Sequence, residues 1–395
     1  MVALVLTLAC GSSSSTSHLS PNASSTPASA SPSAVTTSQA FPSPSPGVTA
    51  SVAAVPLSCS STPAAGEHLA LVTLRGSSNV VVRDVTDVSH PSSRCTFKGG
   101  GYFRFYNATH VSYIVMASGD LGASGALYLA DLRTRTTSLV RAWSDGGFES
   151  WIYAWSPNGQ YLTYISSDSS GAQWHMLSAA GDRKLLDLGT IPGRDVDPNG
   201  DDATVGFSAD GQFVAVEQTF TQGKGATGSA PPIQVNRVSD GSVAYSRTDG
   251  TMAAWAGAGA RLYFRTGAGV ESWSPGGGVT TASAGTKWIR PYASPDGSRI
   301  AFSVLNAQQN HVSEVLDLTS GAIHSLSANP RVGAAFLNAS LVWYSGESIC
   351  TTATPCGLVP PQSGQTYIYD LGSDVETVSI DTGFYDSWPH NVGQS

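Results

Sequence analysis

Charged side chains are scarce in this sequence, and their scarcity excludes several classes of protein. Asp, Glu, Lys and Arg make up 12% of the chain, and the first of them is Glu67. No basic run or basic-aromatic cluster occurs, so the electrostatic footprint of a nucleic-acid-binding protein is missing. No segment after the first ten residues approaches the roughly 20 apolar residues that span a bilayer. We therefore expect a soluble protein body that binds no nucleic acid.

Helical and catalytic patterns are also missing. We find no apolar residues spaced at 3.6 positions. The motifs G-x-S-x-G, H-E-x-x-H, G-x-x-x-x-G-K-[ST] and C-x-x-C do not occur either. Instead, 41% of the chain is hydrophobic and 42 residues are glycine, a composition typical of many short strands joined by tight turns. These observations predict an all-β protein and assign no catalytic residue.

The first ten residues predict export and a lipid anchor. Residues 1–9 are apolar, and Leu8-Ala9-Cys10-Gly11 resembles a bacterial lipobox, whose cysteine is acylated after cleavage. Thr7 stands where a lipobox prefers leucine and no basic residue precedes it, so a chance apolar start is the alternative. We predict residues 1–10 as a truncated lipoprotein signal, Cys10 as the lipidation site, and an extracytoplasmic location at the bacterial cell membrane.

A disordered tether is predicted at residues 11–58. This segment is almost entirely Ser, Thr, Ala, Pro, Val and Gly, which bury too little apolar surface to offset the entropy of ordering the chain. The four remaining cysteines suit a compartment that permits disulfides. We predict the pairs Cys59–Cys95 and Cys350–Cys356, with free buried thiols as the alternative.

One repeated unit in residues 59–395 decides the predicted fold. It contains an apolar strand, a Ser-Pro-Asp-Gly type turn, a second apolar strand, and a third strand that often ends in Asp-Leu. In the turn, proline presets φ, and Asn-Gly or Asp-Gly tolerates positive φ. The clearest turns are Ser156-Pro157-Asn158-Gly159, Ser208-Ala209-Asp210-Gly211 and Ser294-Pro295-Asp296-Gly297.

Equivalent apolar positions in the second strand measure the repeat. They are separated by 42, 51, 52, 48, 38 and 41 residues, the length of a propeller blade. We predict a single β-propeller of seven four-stranded antiparallel blades, with six as the alternative. The seven positions are Leu69, Val111, Leu162, Val214, Leu262, Ile300 and Leu341.

The two ends of the repeat region predict how the ring closes. Residues 66–71 look like a second strand with no first strand before it, and residues 384–394 look like a first strand with no blade after it. Pairing them would hide both edges. The repeats resemble the TolB-type (WD-repeat-like) β-propeller family over roughly residues 66–395. That resemblance implies the fold but no single function, because such propellers serve both as protein-binding platforms and as accessory domains of prolyl peptidases.

Two candidate sites follow from the residues. Oxygen ligands alternate at Asp195, Asp197, Asn199 and Asp201 as in the first half of a calcium loop, which makes calcium the candidate cofactor. The twelfth position is Gly206 rather than Glu, and a solvated acidic loop is the alternative. A binding face at one mouth of the channel is predicted from recurrent tryptophans and nearby polar residues, with packing between blades as the alternative. Its members are Glu149, Trp151, Trp288, Arg290, Asp386, Trp388 and His390.

The leading functional hypothesis is a monomeric, membrane-anchored, non-enzymatic platform that binds an envelope protein, peptide or polymer. An extracytoplasmic hydrolase, lyase or lactonase with its active site at the channel mouth, with or without a bound divalent metal, is the alternative. A sensor or assembly module for a neighbouring transporter or secretion system is a third hypothesis. Acids or histidines converging inside the channel would favour the enzyme.

Overall fold

The computed structural model describes residues 52–74, 76–117, 124–143, 152–168, 171–189, 203–218, 232–308, 310–347 and 362–388. These residues form β-strands joined by turns and loops, and within them no helix is long and apolar enough to cross a membrane. The strands in chain order are β1 (Leu57–Cys59), β2 (Leu69–Leu74), β3 (Val80–Asp84), β4 (Ser92–Phe97), β5 (Gly101–Asn107), β6 (His110–Met116), β7 (Gly125–Asp131), β8 (Thr136–Trp143), β9 (Tyr153–Trp155), β10 (Tyr161–Asp168), β11 (Gly171–Ser178), β12 (Gly181–Gly189), β13 (Ala203–Phe207), β14 (Phe213–Gln218), β15 (Ile233–Arg237), β16 (Val243–Arg247), β17 (Thr251–Trp255), β18 (Leu262–Thr266), β19 (Gly269–Ser274), β20 (Gly278–Ala284), β21 (Ile289–Ala293), β22 (Arg299–Leu305), β23 (His311–Asp317), β24 (Ile323–Ser325), β25 (Arg331–Phe336), β26 (Leu341–Glu347), β27 (Gln362–Asp370), β28 (Val375–Ser379) and β29 (Asp381–Trp388).

Seven antiparallel sheets make up a seven-bladed β-propeller, as the repeat spacing predicts. Blade 1 has the strand order β29-β2-β3-β4-β1, and blades 2 to 7 take the strands from β5 to β28 four at a time. The first strands of neighbouring blades lie against one another, for example β29 against β5 and β17 against β21, and therefore surround the central axis. All seven repeat positions, from Leu69 to Leu341, lie buried in second strands.

The Ser-Pro-Asp-Gly type turns join first strands to second strands. In each clear copy the serine hydroxyl accepts a hydrogen bond from the backbone N–H five residues later, at 2.9 to 3.0 Å. The glycine that ends each turn has a φ between +67° and +73°, which a residue with a side chain rarely adopts. The local chemistry of the turn therefore reverses the chain at the predicted place.

The hydrophobic core lies between blades. Seven buried clusters occur in the described part of the chain, and each combines residues from two neighbouring blades, including blades 7 and 1. The stability of every blade thus depends on both neighbours, and closure of the ring is needed to complete two of the clusters.

Strand β29 closes the ring, which confirms the predicted composite blade. It runs antiparallel to β2, with Leu69 opposite Trp388 and Leu71 opposite Asp386. The strand begins at Asp381, three residues earlier than predicted, and the described residues end at Trp388. Its early start lets β29 pair along the whole length of β2.

Blade 1 carries a fifth strand. Strand β1 pairs with the outer strand β4, and a disulfide joins Cys59 to Cys95 at that edge, as predicted. Composition predicts that residues 52–58 belong to the tether, yet Val52, Val55 and Leu57 pack against the core of blades 1 and 2. Residues 1–51 and the predicted pair Cys350–Cys356 lie outside the described residues.

The connections between strands separate into two faces. Because consecutive strands are antiparallel, connections from first to second and from third to fourth strands share one face, which we call the turn face. Connections from second to third strands and between blades share the other, which we call the loop face. Between the described strands, the longest connection on the turn face is 60–68, while the three longest of all belong to the loop face: 190–202, 219–232 and 348–361.

Candidate functional site

Strained backbone marks the inner strands near the loop face. In four blades, two residues of the first strand lie opposite one residue of the second, which is a β-bulge. The first residue of each bulge has a positive φ: +54°, +53°, +49° and +72° in chain order. In the same order they are Tyr102, Met252, Arg290 and Gly333, which we call the mouth residues.

The bulges occupy equivalent positions in their blades. Each one lies opposite a buried aromatic side chain of the second strand, and these aromatic residues are Tyr113, Phe264, Phe302 and Tyr344. Since every first strand starts at the loop face, the mouth residues surround the axis at that face. Arg290 is exposed, while Tyr102 and Met252 are half-buried. A cavity of about 300 Å³ opens beside Tyr102, lined by residues 100–102 and 114–117.

The positive φ of the mouth residues differs in kind from ordinary turn geometry. Two other non-glycine residues of the described chain have positive φ, and both, Arg135 and Asp374, end tight turns between third and fourth strands. There a left-handed residue is common. In a strand, a non-glycine residue with positive φ costs on the order of 1–3 kcal/mol, and such residues cluster at functional sites.

Side chains from the next blade hold the distorted strands. Tyr153 of blade 3 donates its hydroxyl to the Tyr102 carbonyl at 2.6 Å, and the Trp288 indole donates to the Met252 carbonyl at 3.0 Å. In blade 1, Tyr385 is similarly out of register in β29, and Arg104 of blade 2 donates to its carbonyl at 2.9 Å. The strained backbone is thus fixed by hydrogen bonds across blade boundaries.

Glu217 holds the bulge of blade 5 most directly. Its side chain is buried, and its two carboxylate oxygens accept hydrogen bonds from the backbone N–H groups of Met252 and Ala253, at 2.5 and 2.6 Å. A carboxylate suits this position because it presents only acceptors to two adjacent donors. It is the one charged residue of β14 and follows the apolar Phe213-Val214-Ala215-Val216. A single acid at the end of an apolar strand is the feature of the sequence that indicates this role.

Replacing Glu217 by glutamine is expected to destabilise the protein by about 2–3 kcal/mol, because one acceptor becomes an NH₂ group facing a backbone N–H. Urea unfolding would measure the loss. Glu314→Gln is a suitable control, since Glu314 is half-buried and accepts a longer hydrogen bond, 3.3 Å, from the Ser325 hydroxyl. Equal stability of the two variants would contradict the role assigned to Glu217.

A polar cluster lies on the axis below the mouth. Its members, which we call the axis cluster, are Tyr153, Tyr292 and Asp386. Asp386 accepts hydrogen bonds from the backbone N–H groups of Phe105, at 2.7 Å, and Ser387, at 2.9 Å. Tyr292 of blade 6 packs against Phe384 of blade 1, with 6.2 Å between the centroids of the two rings. Burial, with the Asp386 carboxylate nearby, raises the pKa of the Tyr153 and Tyr292 hydroxyls far above its usual range. Both phenols therefore stay protonated at neutral pH, and Tyr153 uses its proton to donate to the Tyr102 carbonyl.

Comparison with known proteins bears on the fold. No protein-family model matches the chain, and no curated protein sequence matches it significantly. Among solved structures it is similar to a prolyl endopeptidase, with 11% identity, a TM-score of 0.51, and coverage of 82% of this chain and 49% of that one. TolB from Acinetobacter baumannii gives 14% identity, a TM-score of 0.46, and coverage of 82% and 66%. The β-propeller domain of the Trilobed protease from Pyrococcus furiosus gives 10% identity, a TM-score of 0.48, and coverage of 82% of this chain and 97% of that one.

The likeness shows the β-propeller fold. The chain spans about half the length of the prolyl endopeptidase and 66% of the TolB chain. At identities of 10–14% the likeness extends to no shared activity.

The propeller separates the two described tryptophans of the predicted binding face. Trp288 lies at the loop face, is fully buried and packs against Phe302 at 5.8 Å. Trp388 lies at the opposite end of a first strand, opposite Leu69. In other blades the equivalent position of the first strand also carries a large aromatic residue, and the side chains of these residues are buried in the core. They are Phe105, Trp155, Phe207 and Trp255.

Of the remaining predicted site residues, two are described by the structure and the others are not. Arg290 is a mouth residue, and Asp386 belongs to the axis cluster. The others lie outside the described residues: Cys10, Glu149, Trp151, Asp195, Asp197, Asn199, Asp201, Cys350, Cys356 and His390. Among the described side chains, no three His, Cys, Asp or Glu lie together as metal ligands would. The calcium loop therefore stays a prediction.

Proposed function

We propose that this protein is an extracytoplasmic β-propeller, anchored to the bacterial membrane by a lipid on Cys10, that binds an envelope protein, peptide or polymer at its loop-face mouth. The observation that carries the proposal is the ring of mouth residues. Three of them are non-glycine residues in a strained conformation, and side chains of other strands hold the backbone of Tyr102 and Met252 in place. Such strain persists only where the surrounding structure enforces it.

Non-enzymatic binding is the activity that these groups support best. The phenols of the axis cluster remain protonated at neutral pH, and the Asp386 carboxylate is engaged by two backbone N–H groups. At the mouth, Tyr102 and Met252 pack against the cores between blades and remain partly exposed, while Arg290 is exposed. Aromatic and arginine side chains on a rigid frame are typical of binding hot spots.

Truncating a mouth side chain is expected to weaken binding. In capture experiments with an envelope extract, Met252→Ala in the full chain should lower recovery of the specific partner about tenfold. Val243→Ala is the matched control, because Val243 is an exposed aliphatic residue at the start of β16, on the turn face. Equal recovery by the wild type and Met252→Ala would contradict binding of the partner at the mouth.

The anchor can be tested separately. Cys10→Ser is expected to move the protein from the membrane pellet to the soluble fraction, because a lipid chain contributes about 0.8 kcal/mol per buried CH₂ group. The double variant Cys350→Ser, Cys356→Ser should stay with the membrane. Retention of Cys10→Ser in the pellet would contradict lipid anchoring through this residue.

A further inference from the structure

We propose that the outer edge of blade 7 binds the same edge of a second copy of this chain, through antiparallel pairing of β28 with itself about Thr377. This inference goes beyond the proposed function and concerns a different surface from the mouth. It replaces the monomer expected from the sequence with a weak, symmetric dimer. The observation that carries it is that β28 has none of the features that normally protect an outer strand from pairing.

The outer strands of the other six blades are protected in recognisable ways. The edge of β4 is covered by β1. Strands β8, β12, β16 and β20 each pair with their neighbour through a register shift, and the first three of them also carry Arg or Lys side chains. Strand β24 has only three residues. Covering strands, bulges, charges and short length are the usual means by which a protein prevents pairing at a sheet edge.

Strand β28 differs from all of these. Its five residues pair with β27 without a register shift, include no Lys, Arg or Pro, and have no described strand beyond them. Its one charged residue, Glu376, accepts hydrogen bonds from Arg331 of the same blade at 2.7 and 3.0 Å and from the Tyr344 hydroxyl at 2.6 Å. Val375 and Val378 are 49% and 65% exposed. The strand is therefore a regular edge, rich in β-branched residues, on which a further strand can pair.

A second β28 fits this edge in one symmetric register. With the twofold axis at Thr377, the central residue of the strand, each Thr377 lies opposite the other, and such threonine pairs stabilise antiparallel sheets. Val375 then lies opposite Ser379, and Glu376 lies opposite Val378, so that no like charges face each other. All five residues of each strand are paired, and the contact closes after two copies.

Blade 1 shows that this propeller accepts a further strand at an outer edge. There the uncharged Leu57-Ser58-Cys59 of β1 pairs antiparallel with β4. Because the blades radiate from the axis, two propellers joined at blade 7 would keep their other blades apart.

The dimer is expected to be weak. Five paired residues from each copy bury less than the roughly 1,200 Å² of a stable interface. The formal net charge of -8 on each copy also opposes association, so added salt should strengthen the dimer.

Sedimentation of the full chain at increasing concentration tests this inference, with charges placed at the twofold axis. Thr377→Lys would bring two cations together and Thr377→Glu two anions, so each variant alone should dimerise at least tenfold more weakly than the wild type. An equimolar mixture of the two variants should regain the dimer, because opposite charges then face each other. Since Thr377 is exposed, both variants should melt near the wild-type temperature.

Thr281→Lys is the matched control, because Thr281 is an exposed threonine of β20, the outer strand of blade 5. It should dimerise like the wild type. A wild type that stays monomeric up to about 1 mM would overturn the inference. Association that the Thr377 variants weaken no more than Thr281→Lys does would assign it to another surface and overturn the inference as well. Loss of the dimer in both Thr377 variants without recovery in their mixture would overturn the register centred on Thr377.

Discussion

Truncation of the chain after Ile380 is expected to abolish cooperative folding, whereas truncation after Trp388 is expected to leave the propeller folded. The two variants differ by strand β29 alone. This strand supplies the innermost strand of blade 1, and its removal would expose the edge of β2 beside the central axis. The chain ending at Trp388 is therefore expected to form a closed ring, and the chain ending at Ile380 an open one.

The magnitude follows from what β29 contributes. Phe384 packs in the cluster between blades 7 and 1, while Tyr385 and Trp388 pack in the cluster between blades 1 and 2. Loss of one large aromatic side chain from a core costs roughly 3–5 kcal/mol. The strand also accepts two hydrogen bonds from blade 2: the Asp386 carboxylate accepts from the Phe105 N–H, and the Tyr385 carbonyl accepts from Arg104. For three rings the total is at most about 9–15 kcal/mol, which is comparable to the roughly 5–15 kcal/mol by which a typical domain is stable.

Thermal unfolding followed by circular dichroism, with dye binding as a measure of exposed apolar surface, would check the pair of truncations. The chain ending at Trp388 should melt in one transition close to the full chain. The chain ending at Ile380 should bind dye and show no sharp transition. A cooperative transition of the shorter chain near that of the longer one would refute the closing role of β29.

Removing the disulfide between Cys59 and Cys95 is expected to lower the free energy of unfolding by about 3–4 kcal/mol, because the bond closes a loop across a separation of 36 residues. Strand β1 has only three residues and pairs with β4 at the outer edge, so it has few other contacts to hold it. Cys59→Ser, Cys95→Ser should lower the melting temperature by roughly 5–10 °C. An unchanged melting temperature would mean that packing of Val55 and Leu57 suffices to hold the segment.

A reductant extends this experiment. Added to the wild type, it should lower the melting temperature at least as far as the double substitution does. Added to Cys59→Ser, Cys95→Ser, it should lower the melting temperature further if the predicted bond between Cys350 and Cys356 forms. No further decrease would contradict that second disulfide.

The mouth could not be predicted from the sequence, because its geometry is made by contacts between blades. Residues 101–105, 251–255 and 289–293 share no motif, yet all three contain a bulge at the same register position. Each bulge is opposite an aromatic residue of the next strand, and two of them are held by a donor from the following blade. Pattern analysis detects residues that share a local conformation and does not detect a conformation enforced by distant donors.

The positions of two tryptophans also could not be predicted from the sequence. Trp288 and Trp388 look alike in sequence because both lie near a first strand. Their different roles follow from position along that strand: Trp288 precedes β21, whereas Trp388 ends β29. Only the strand bounds place them at opposite faces, and the bounds of β29 depend on pairing between residues more than 300 positions apart.

The sequence by itself determined the all-β class, the number of blades, the closing strand and the disulfide at blade 1. These features follow from local turn chemistry, from a repeat length of 38–52 residues and from the pairing of two incomplete ends. Only the tertiary structure decided where the backbone is strained and which side chains hold it there. Those properties arise where neighbouring blades meet, because each blade completes its core and its hydrogen bonds with residues of the next.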